Sequence, residues 1–249
     1  MRVGEAYGVV RSLTTYYGQP WRWRRRRAFY GQFIRPGSLC MDIGSHVGDR
    51  IRTWLELGAR VVAIEPQPRF LGLLRALYGG RRRVELLGIG LAEVPGHRIL
   101  HVSTRTPTVS TFSVDWIEDV RRDARFRRIE WDRQIPVDVD TLDNLILRYG
   151  EPAFCKIDVE GHELNVLQGL SRPLPALSFE YIPVARKRAC ACIDRLSEVG
   201  AYLFRRSSVE TMRWMDREWL SAPEIKDALQ AMPPGDRSGD VYARLERAW

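Results

Sequence analysis

Cysteine and lysine are scarce in this chain, and long apolar runs are absent from it. The four cysteines, Cys40, Cys155, Cys190 and Cys192, follow none of the usual zinc-binding spacings, so we expect buried free thiols. No window approaches the roughly 18 consecutive apolar residues that a membrane span requires. The N-terminus also lacks the apolar run of a secretory signal, and we therefore expect a cytoplasmic protein without a membrane span.

Arginine supplies almost all of the positive charge, because only Lys156, Lys187 and Lys226 are lysines among the 39 basic residues. The formal net charge of +8 permits an acidic partner, since a positive field attracts anions. A compositional bias of the source genome would produce the same arginine excess. Charge alone therefore does not identify the substrate.

Arginine and aromatic residues are concentrated in the N-terminal segment, with a peak at residues 21–27. We expect this segment to contain a helix that enters the core through Phe29, Phe33 and Ile34 and stops at Pro36-Gly37. The predicted organisation is an N-terminal basic and aromatic helical segment, residues 1–35, followed by one main domain, residues 36–249. A chain of 249 residues is long enough for one substantial core.

From residue 39 onward, short apolar runs alternate with segments of helical periodicity, which is typical of a parallel sheet covered by helices. The expected core strands are residues 39–43, 61–64, 84–87, 154–159, 177–181 and 202–204. Residues 241–243 are expected to close the edge of the sheet. We predict an α/β fold with a mostly parallel, doubly wound sheet.

The alternation is interrupted between about residues 91 and 152, where we predict an insertion before the fourth core strand. It is expected to hold a hairpin around Pro95-Gly96, a charged stretch and a short helix near residues 142–147. Ser110-Thr111 lies in this insertion and could contact a cofactor or substrate, but a solvated loop is the simpler expectation. Surface positions are expected for His97 and His101, and core packing for Trp214 and Trp219.

A glycine-containing loop follows the first predicted strand, where ligands of open parallel sheets bind. Asp42, Gly44, His46 and Gly48 belong to this loop, and its glycines let the backbone approach a ligand closely. Asp42 would place a carboxylate where the diphosphate of a dinucleotide should lie. S-adenosylmethionine has no phosphate and carries a sulfonium and an ammonium group, so the charge of the loop favours it as the cofactor.

Glu65 lies at the end of the second predicted strand, 21 positions after Gly44. This offset places a carboxylate where nucleoside-binding folds hold the two ribose hydroxyls. The alternative is a tight turn followed by an acid that caps the strand. The combination of the loop with Glu65 favours a nucleoside site.

These residues, with a second run further along the chain, resemble the FkbM family of methyltransferases. The resemblance covers about residues 35–204, and its segments are Pro36-Gly37 before Met41-Asp42-Ile43-Gly44, Ala63-Ile64-Glu65-Pro66, Thr141-Leu142-Asp143, and Lys156-Ile157-Asp158-Val159-Glu160-Gly161-His162-Glu163 with Val166-Leu167-Gln168-Gly169. It implies a Rossmann-like class I methyltransferase fold that uses S-adenosylmethionine, and it adds Pro66 to the cofactor-binding residues. Family members are typically O-methyltransferases of sugars, glycolipids and polyketide-type metabolites. Ser45-His46 replaces the Ala-Asn pair that is common in the family, and His46 is expected to hydrogen-bond the methionine end of the cofactor.

Methyl transfer to a hydroxyl requires a group that takes the proton, and the run after the fourth predicted strand supplies candidates. Asp158, beside the expected methyl position, is the best candidate, with His162 as general base or orienting residue and Glu160 as its partner. Alternatively, Asp158 and Glu160 cap the next helix, whose free amides favour acids. Glu180 joins the cluster with less weight. The three acids and His162 could also hold a divalent cation, but we assign no metal.

Two other functions remain open. The N-terminal segment could bind RNA, since arginine contacts phosphates and aromatic rings stack on bases. The Asn/Asp-Pro-Pro-aromatic motif of many base-methylating enzymes is, however, absent from the fourth strand. The same segment could adsorb to an anionic surface in a non-catalytic module. We predict an O-methyltransferase whose partner is a hydroxyl of a small molecule, sugar or natural product, with nucleic acid disfavoured, peripheral membrane association open and no oligomeric state assigned.

Overall fold

The computed structural model describes residues 20–246 of the chain. The strands are β1 (Leu39–Ile43), β2 (Arg60–Ile64), β3 (Val84–Leu87), β4 (Gly90–Leu91), β5 (Gly96–Val102), β6 (Arg133–Asp140), β7 (Phe154–Ile157), β8 (Ala176–Tyr181), β9 (Tyr202–Ser208) and β10 (Gly239–Leu245). The α-helices are α1 (Pro20–Tyr30), α2 (Asp49–Glu56), α3 (Pro68–Tyr78), α4 (Val114–Val120), α5 (Leu142–Tyr149), α6 (Glu163–Gln168), α7 (Arg186–Val199) and α8 (Ala222–Gln230). Within this range, no helix is both long and apolar enough to cross a membrane.

Seven strands form the central sheet in the order β3-β2-β1-β7-β8-β10-β9. The strands from β3 to β8 in this order are parallel, and β10 runs antiparallel to both of its neighbours. Strand order reverses between β1 and β7, so the carboxyl ends of β1, β2 and β7 surround one crevice. The predicted α/β fold with a mostly parallel, doubly wound sheet is confirmed.

The position predicted for residues 241–243, at the edge of the sheet, is wrong. β10 inserts between β8 and β9, and β9 is the edge strand. Val241, Tyr242 and Ala243 are each 0% exposed, because the strand is covered on both faces. An uninterrupted apolar run of this kind is the pattern of an interior strand.

Helix α1 covers one face of the central sheet. The ring centroid of Phe29 lies 5.1 Å from that of Tyr242, and the ring of Phe33 stacks on the ring of Tyr242 at 6.0 Å. Ile34 is also buried, so the predicted entry into the core through these residues is confirmed. The helix ends at Tyr30, earlier than predicted, since Gly31 begins a turn before Pro36-Gly37 is reached. The boundary at residue 35 stays a prediction.

The insertion forms a small sheet of its own in the order β4-β6-β5. β4 pairs parallel with β6, and β5 pairs antiparallel with it. The hairpin predicted around Pro95-Gly96 is therefore wrong, because β6 separates the two strands that this turn connects. The predicted short helix is confirmed as α5.

The charged stretch of the insertion contains α4, which was not predicted. Ser113 caps this helix, since its side chain accepts a hydrogen bond from the backbone N–H of Trp116 at 3.1 Å. Trp116, Ile117 and Val120 of α4 pack against Ile182 and Ala185, which follow β8. This packing places the insertion over the carboxyl edge of the central sheet.

The cysteines, two tryptophans and two histidines to which no functional role was assigned mostly have the predicted burial. The four cysteines are free, with three buried and one, Cys190, half-buried. Trp214 and Trp219 pack against the core cluster on the α1 side of the sheet. His97 is exposed, and His101 is half-buried at the rim of the small sheet.

Candidate active site

A cavity of about 570 Å³, its open mouth included, lies between the carboxyl edge of the central sheet and the insertion. Its sheet side is formed by Gly44, His46, Glu65, Pro66, Gln67, Asp158, Val159 and Glu160. Its insertion side is formed by Leu100, Pro107, Thr108, Ser110 and Phe112. Of the predicted site residues, Asp42, Gly48 and His162 lie outside this lining and the other six belong to it.

Glu65 follows β2 and presents its carboxylate to the cavity from a buried position. Its Oε2 accepts a hydrogen bond from the backbone N–H of His46, and its Oε1 from that of Gln67, both at 2.8 Å. Burial raises the pKa of Glu65 to about 7, against these hydrogen bonds. The Gln67 side chain also hydrogen-bonds Glu65 and acts against this rise in pKa, and the remaining acceptor positions of the carboxylate can receive hydroxyl groups.

The two glycines of the first loop, Gly44 and Gly48, contact different parts of the protein. Gly44 has φ +84°, and a Cβ there would overlap the backbone oxygen of Asp158, so glycine lets the β1 and β7 loops meet at the cavity floor. Gly48 has φ +76°, and a Cβ there would lie 2.7 Å from Leu74. Gly48 therefore permits packing of the loop on α3, away from the cavity lining.

His46 also has positive φ, 47°, in the same loop. Its ring lies 4.2 Å from that of Phe70, between centroids. Burial lowers the pKa of His46 to about 4, so the imidazole is neutral near pH 7. The side chain lines the cavity, and its predicted contact with the methionine end of a cofactor stays a prediction.

Three carboxyl groups lie close together beside the cavity, and two of them, those of Asp158 and Glu160, belong to residues that line it. Asp158, Glu160 and Glu180 each place one oxygen within 4.8 Å of the others. Burial, reinforced by the neighbouring acids, raises the pKa of Glu160 and of Glu180 well above the usual range. Such a group of oxygens can take up a proton or hold a cation, and the alternative of a divalent ion stays open with no metal assigned.

Lys156 supports this cluster from within β7. Its Nζ donates to Asp158 Oδ2 at 2.8 Å and to Asp240 Oδ1 at 3.3 Å, and its side chain is only 3% exposed. Burial acts to lower the pKa of Lys156, but Asp158 and Asp240 raise it well above its ordinary value. Neither Lys156 nor Asp240 was predicted as part of the site. A lysine inside the apolar strand 154–157 was the available signal, since a buried charge requires a partner.

Asp42 lies next to Lys156 in the register of β1 and β7, outside the cavity lining. It is 2% exposed, and its Oδ2 has no hydrogen-bond partner among residues 20–246. Burial raises the pKa of Asp42 to about 7, opposed by the charge of Arg50. The residue contributes to the field of the site, and its predicted contact with the cofactor stays a prediction.

His162 lies between α6 and the small sheet of the insertion. Its ring is 5.4 Å from that of Phe112, between centroids, and Glu93 and Arg98 are its charged neighbours. Burial lowers the pKa of His162 to about 4, which makes it a weaker base than an ordinary imidazole. Its predicted catalytic role stays a prediction.

Glu163, which was not assigned a role, holds the loop that precedes α6. Its Oε1 accepts hydrogen bonds from the backbone N–H groups of Val159 and Gly161, both at 3.1 Å. These amides precede α6, and the start of the helix has no side-chain cap, so neither Asp158 nor Glu160 caps it as the alternative proposed. Asp158 and Glu160 are left to face the cavity.

Residues 107–111, here named the strap, cross the cavity on its insertion side. The expectation of a solvated loop at Ser110-Thr111 is wrong, because these residues are 9% and 0% exposed. Ser110 lines the cavity, and Thr111 Oγ1 donates to the backbone oxygen of Glu160 at 2.6 Å. The prediction was wrong because the polar side chains of Ser110 and Thr111 were interpreted as solvent-exposed, whereas they bind backbone and side-chain groups across the cavity.

Helix α1 has an arginine-rich outer face and an aromatic inner face. Arg24, Arg25 and Arg27 are exposed, whereas Arg26 is buried and binds Asp49 at 2.9 Å. Trp23 donates its indole N–H to the carboxylate of Glu56. The aromatic residues of this helix whose side chains are described are therefore held by the protein itself.

Comparison with solved structures finds methyltransferases among those similar to this chain. The structure of a precorrin-6y C5,15-methyltransferase from Geobacter metallireducens has a TM-score of 0.48 at 12% identity, over 89% of this chain and 86% of that one. An O-methyltransferase from Bacillus cereus, solved in complex with S-adenosylhomocysteine, has a TM-score of 0.47 at 11% identity, over 96% of this chain and 90% of that one. Likenesses at this level carry no argument about activity. No curated protein matches the chain.

The sequence model of the methyltransferase FkbM domain matches residues 42–213, which is more than half of the chain. The match runs from Asp42, at the first loop, past the acidic cluster around Asp158. It also spans Glu65 and the insertion. This protein therefore belongs to the FkbM family of methyltransferases.

Proposed function

We propose that this protein transfers the methyl group of S-adenosylmethionine to a hydroxyl of a small molecule, sugar or natural product. The observation that carries the proposal is Glu65, a buried carboxylate held by two backbone amides at 2.8 Å on the wall of a cavity. Its free acceptor positions suit the paired ribose hydroxyls of a nucleoside. Gly44 lets the β1 and β7 loops meet at the floor of the cavity, on which the ligand would lie.

The charge of the cavity supports a cationic nucleoside over a dinucleotide. Three acids, Glu65, Asp158 and Glu160, line it, and among residues 20–246 no lysine or arginine does. Burial raises the pKa values of Glu65 and Glu160, and a bound cation would favour their ionised forms. Lys156 offsets only part of this charge, since it is shared between Asp158 and Asp240. A sulfonium and an ammonium group would be stabilised here, whereas a diphosphate would be repelled.

S-adenosylmethionine supplies an electrophilic methyl group when it is bound. The protein has to orient the acceptor hydroxyl and remove its proton as the new bond forms. We assign this step to Asp158, and the assignment is supported by its position in the cavity lining and by Lys156, which holds its Oδ2 at 2.8 Å. Glu160 and Glu180, whose pKa values are raised, can share the proton that Asp158 accepts.

The test is transfer of label from S-adenosylmethionine, labelled in its methyl carbon, to panels of polyhydroxylated small molecules and of total RNA. We expect label on a hydroxyl compound, and a loss of at least about 100-fold with Asp158→Asn because the proton acceptor is removed. Asp227→Asn, an exposed acid on α8, is the matched control. Label found on RNA alone, or full activity of Asp158→Asn, would refute the proposal.

A further inference from the structure

The strap is fastened firmly to the insertion. The backbone oxygen of Val109 accepts the indole N–H of Trp131 at 2.8 Å, and Val109 itself is buried. Thr111 pairs with His101 through two backbone hydrogen bonds of 2.8 and 3.0 Å. Thr111 Oγ1 also donates to the backbone oxygen of Glu160 at 2.6 Å, so this end of the strap is tied to both walls, and only the end at Pro107 can separate from the sheet side.

Gln67 joins the strap to the opposite side of the cavity. Its Nε2 donates to the backbone oxygen of Pro107 at 3.2 Å, and its Oε1 accepts from Ser110 Oγ at 3.3 Å. The Ser110 hydroxyl also approaches the oxygen of Pro107, at 2.9 Å, so its single proton is shared. These contacts are longer than those that hold the strap to the insertion, and the Gln67 side chain is only half-buried.

Access to Glu65 depends on this connection. Glu65 is only 2% exposed although it lines the cavity, so a nucleoside can enter this position only when the wall opens. Gln67 follows Glu65 by two residues and binds it through its backbone N–H. Separation of Gln67 from Pro107 and Ser110 opens the cavity next to the ribose ligand without disturbing that N–H.

We propose that Gln67 is a positioning residue that latches the strap over the methyl donor and releases it for exchange. The proposal rests on the donor site described above. The latch bonds join protein to protein, so they oppose opening whether the donor is inside the cavity or outside it. Their removal is expected to accelerate association and dissociation together and to leave the dissociation constant almost unchanged.

The experiment is stopped-flow binding of S-adenosylhomocysteine to the parent, Gln67→Ala, Gln67→Glu and Ser110→Ala. Gln67→Glu keeps the size of the side chain and its acceptor oxygen but loses the donor to Pro107. We expect both rate constants to rise about ten-fold in Gln67→Ala, as the loss of one or two ordinary hydrogen bonds allows. Gln230→Ala, an exposed glutamine at the end of α8, is the matched control.

Combination of Gln67→Ala with Ser110→Ala separates the latch from a direct role of Gln67 at Glu65. The double variant should be no faster than Gln67→Ala, because the two residues act through one contact. A faster dissociation with unchanged association would indicate a direct donor contact and would overturn the latch, as would rates equal to those of the parent. Equal melting temperatures across the variants show that the rates do not report loss of folding.

Failure of the latch is distinct from failure of the donor site. A parent protein that does not bind S-adenosylhomocysteine at all refutes the proposed function, and the latch with it. A parent that binds, with Gln67 variants of unchanged kinetics, refutes the latch alone.

Discussion

Replacement of Lys156 by methionine tests whether the buried cation below Asp158 is needed for stability. The change keeps the length of the side chain and removes its charge. It leaves Asp240, whose side chain is 7% exposed, without its cation, whereas Asp158, at 33%, can be hydrated from the cavity. Removal of one partner from a buried ion pair costs about 3–5 kcal/mol, and the partial exposure of Asp158 favours the lower end, about 3 kcal/mol.

The assay is urea unfolding near pH 8, where carboxylates without a cation partner destabilise the protein most. The same assay is then applied to a double variant. Addition of Asp240→Asn to Lys156→Met removes the less exposed of the two charges and should restore more than half of the loss. Lys226→Met is the control, because its pair with Asp194 is exposed and worth about 1 kcal/mol or less. A loss below about 1 kcal/mol for Lys156→Met, or no recovery in the double variant, would refute the reasoning.

Two further predictions concern pH and packing. Affinity for S-adenosylhomocysteine should weaken as pH falls through about 7. The raised pKa of Glu65 leaves its carboxyl group protonated below that pH, whereas the ligand prefers the ionised form. Calorimetry from about pH 5.5 to 8.5 checks this, and an affinity that does not change with pH contradicts it. Gly161→Ala should lower the free energy of unfolding by about 2–4 kcal/mol, since φ is +87° and the new Cβ would overlap Trp116. Gly72→Ala, in α3 with open space around it, should not destabilise, and equal losses in urea unfolding would contradict the packing argument.

The central strands could be predicted because parallel strands covered on both faces appear as short apolar runs. The first three predicted strands differ from the observed ones by at most one residue, at Arg60. Glu65 could be placed at the ligand edge for the same reason, since the end of a strand is also the end of its apolar run. Sequence pattern thus located the Glu65 side of the cavity.

The rest of the site depends on contacts between distant parts of the chain. Lys156 and Asp240 are 84 residues apart, and Gln67 and Ser110 are 43 apart. No local pattern indicates such pairs, because their geometry follows from strand order and from the fold of the insertion. Helix α8 is a different case, since the Ser221–Glu224 capping box was a usable local signal that we did not apply.

The most direct measurement of the central claim is calorimetric binding of S-adenosylmethionine to the parent and to Glu65→Ala. Glu85→Ala, an exposed glutamate on β3, serves as the control. The account predicts binding by the parent and the control and a loss of at least about 100-fold in affinity for Glu65→Ala, as expected when two hydrogen bonds to a charged group are removed. Equal affinities of the parent and Glu65→Ala would contradict it.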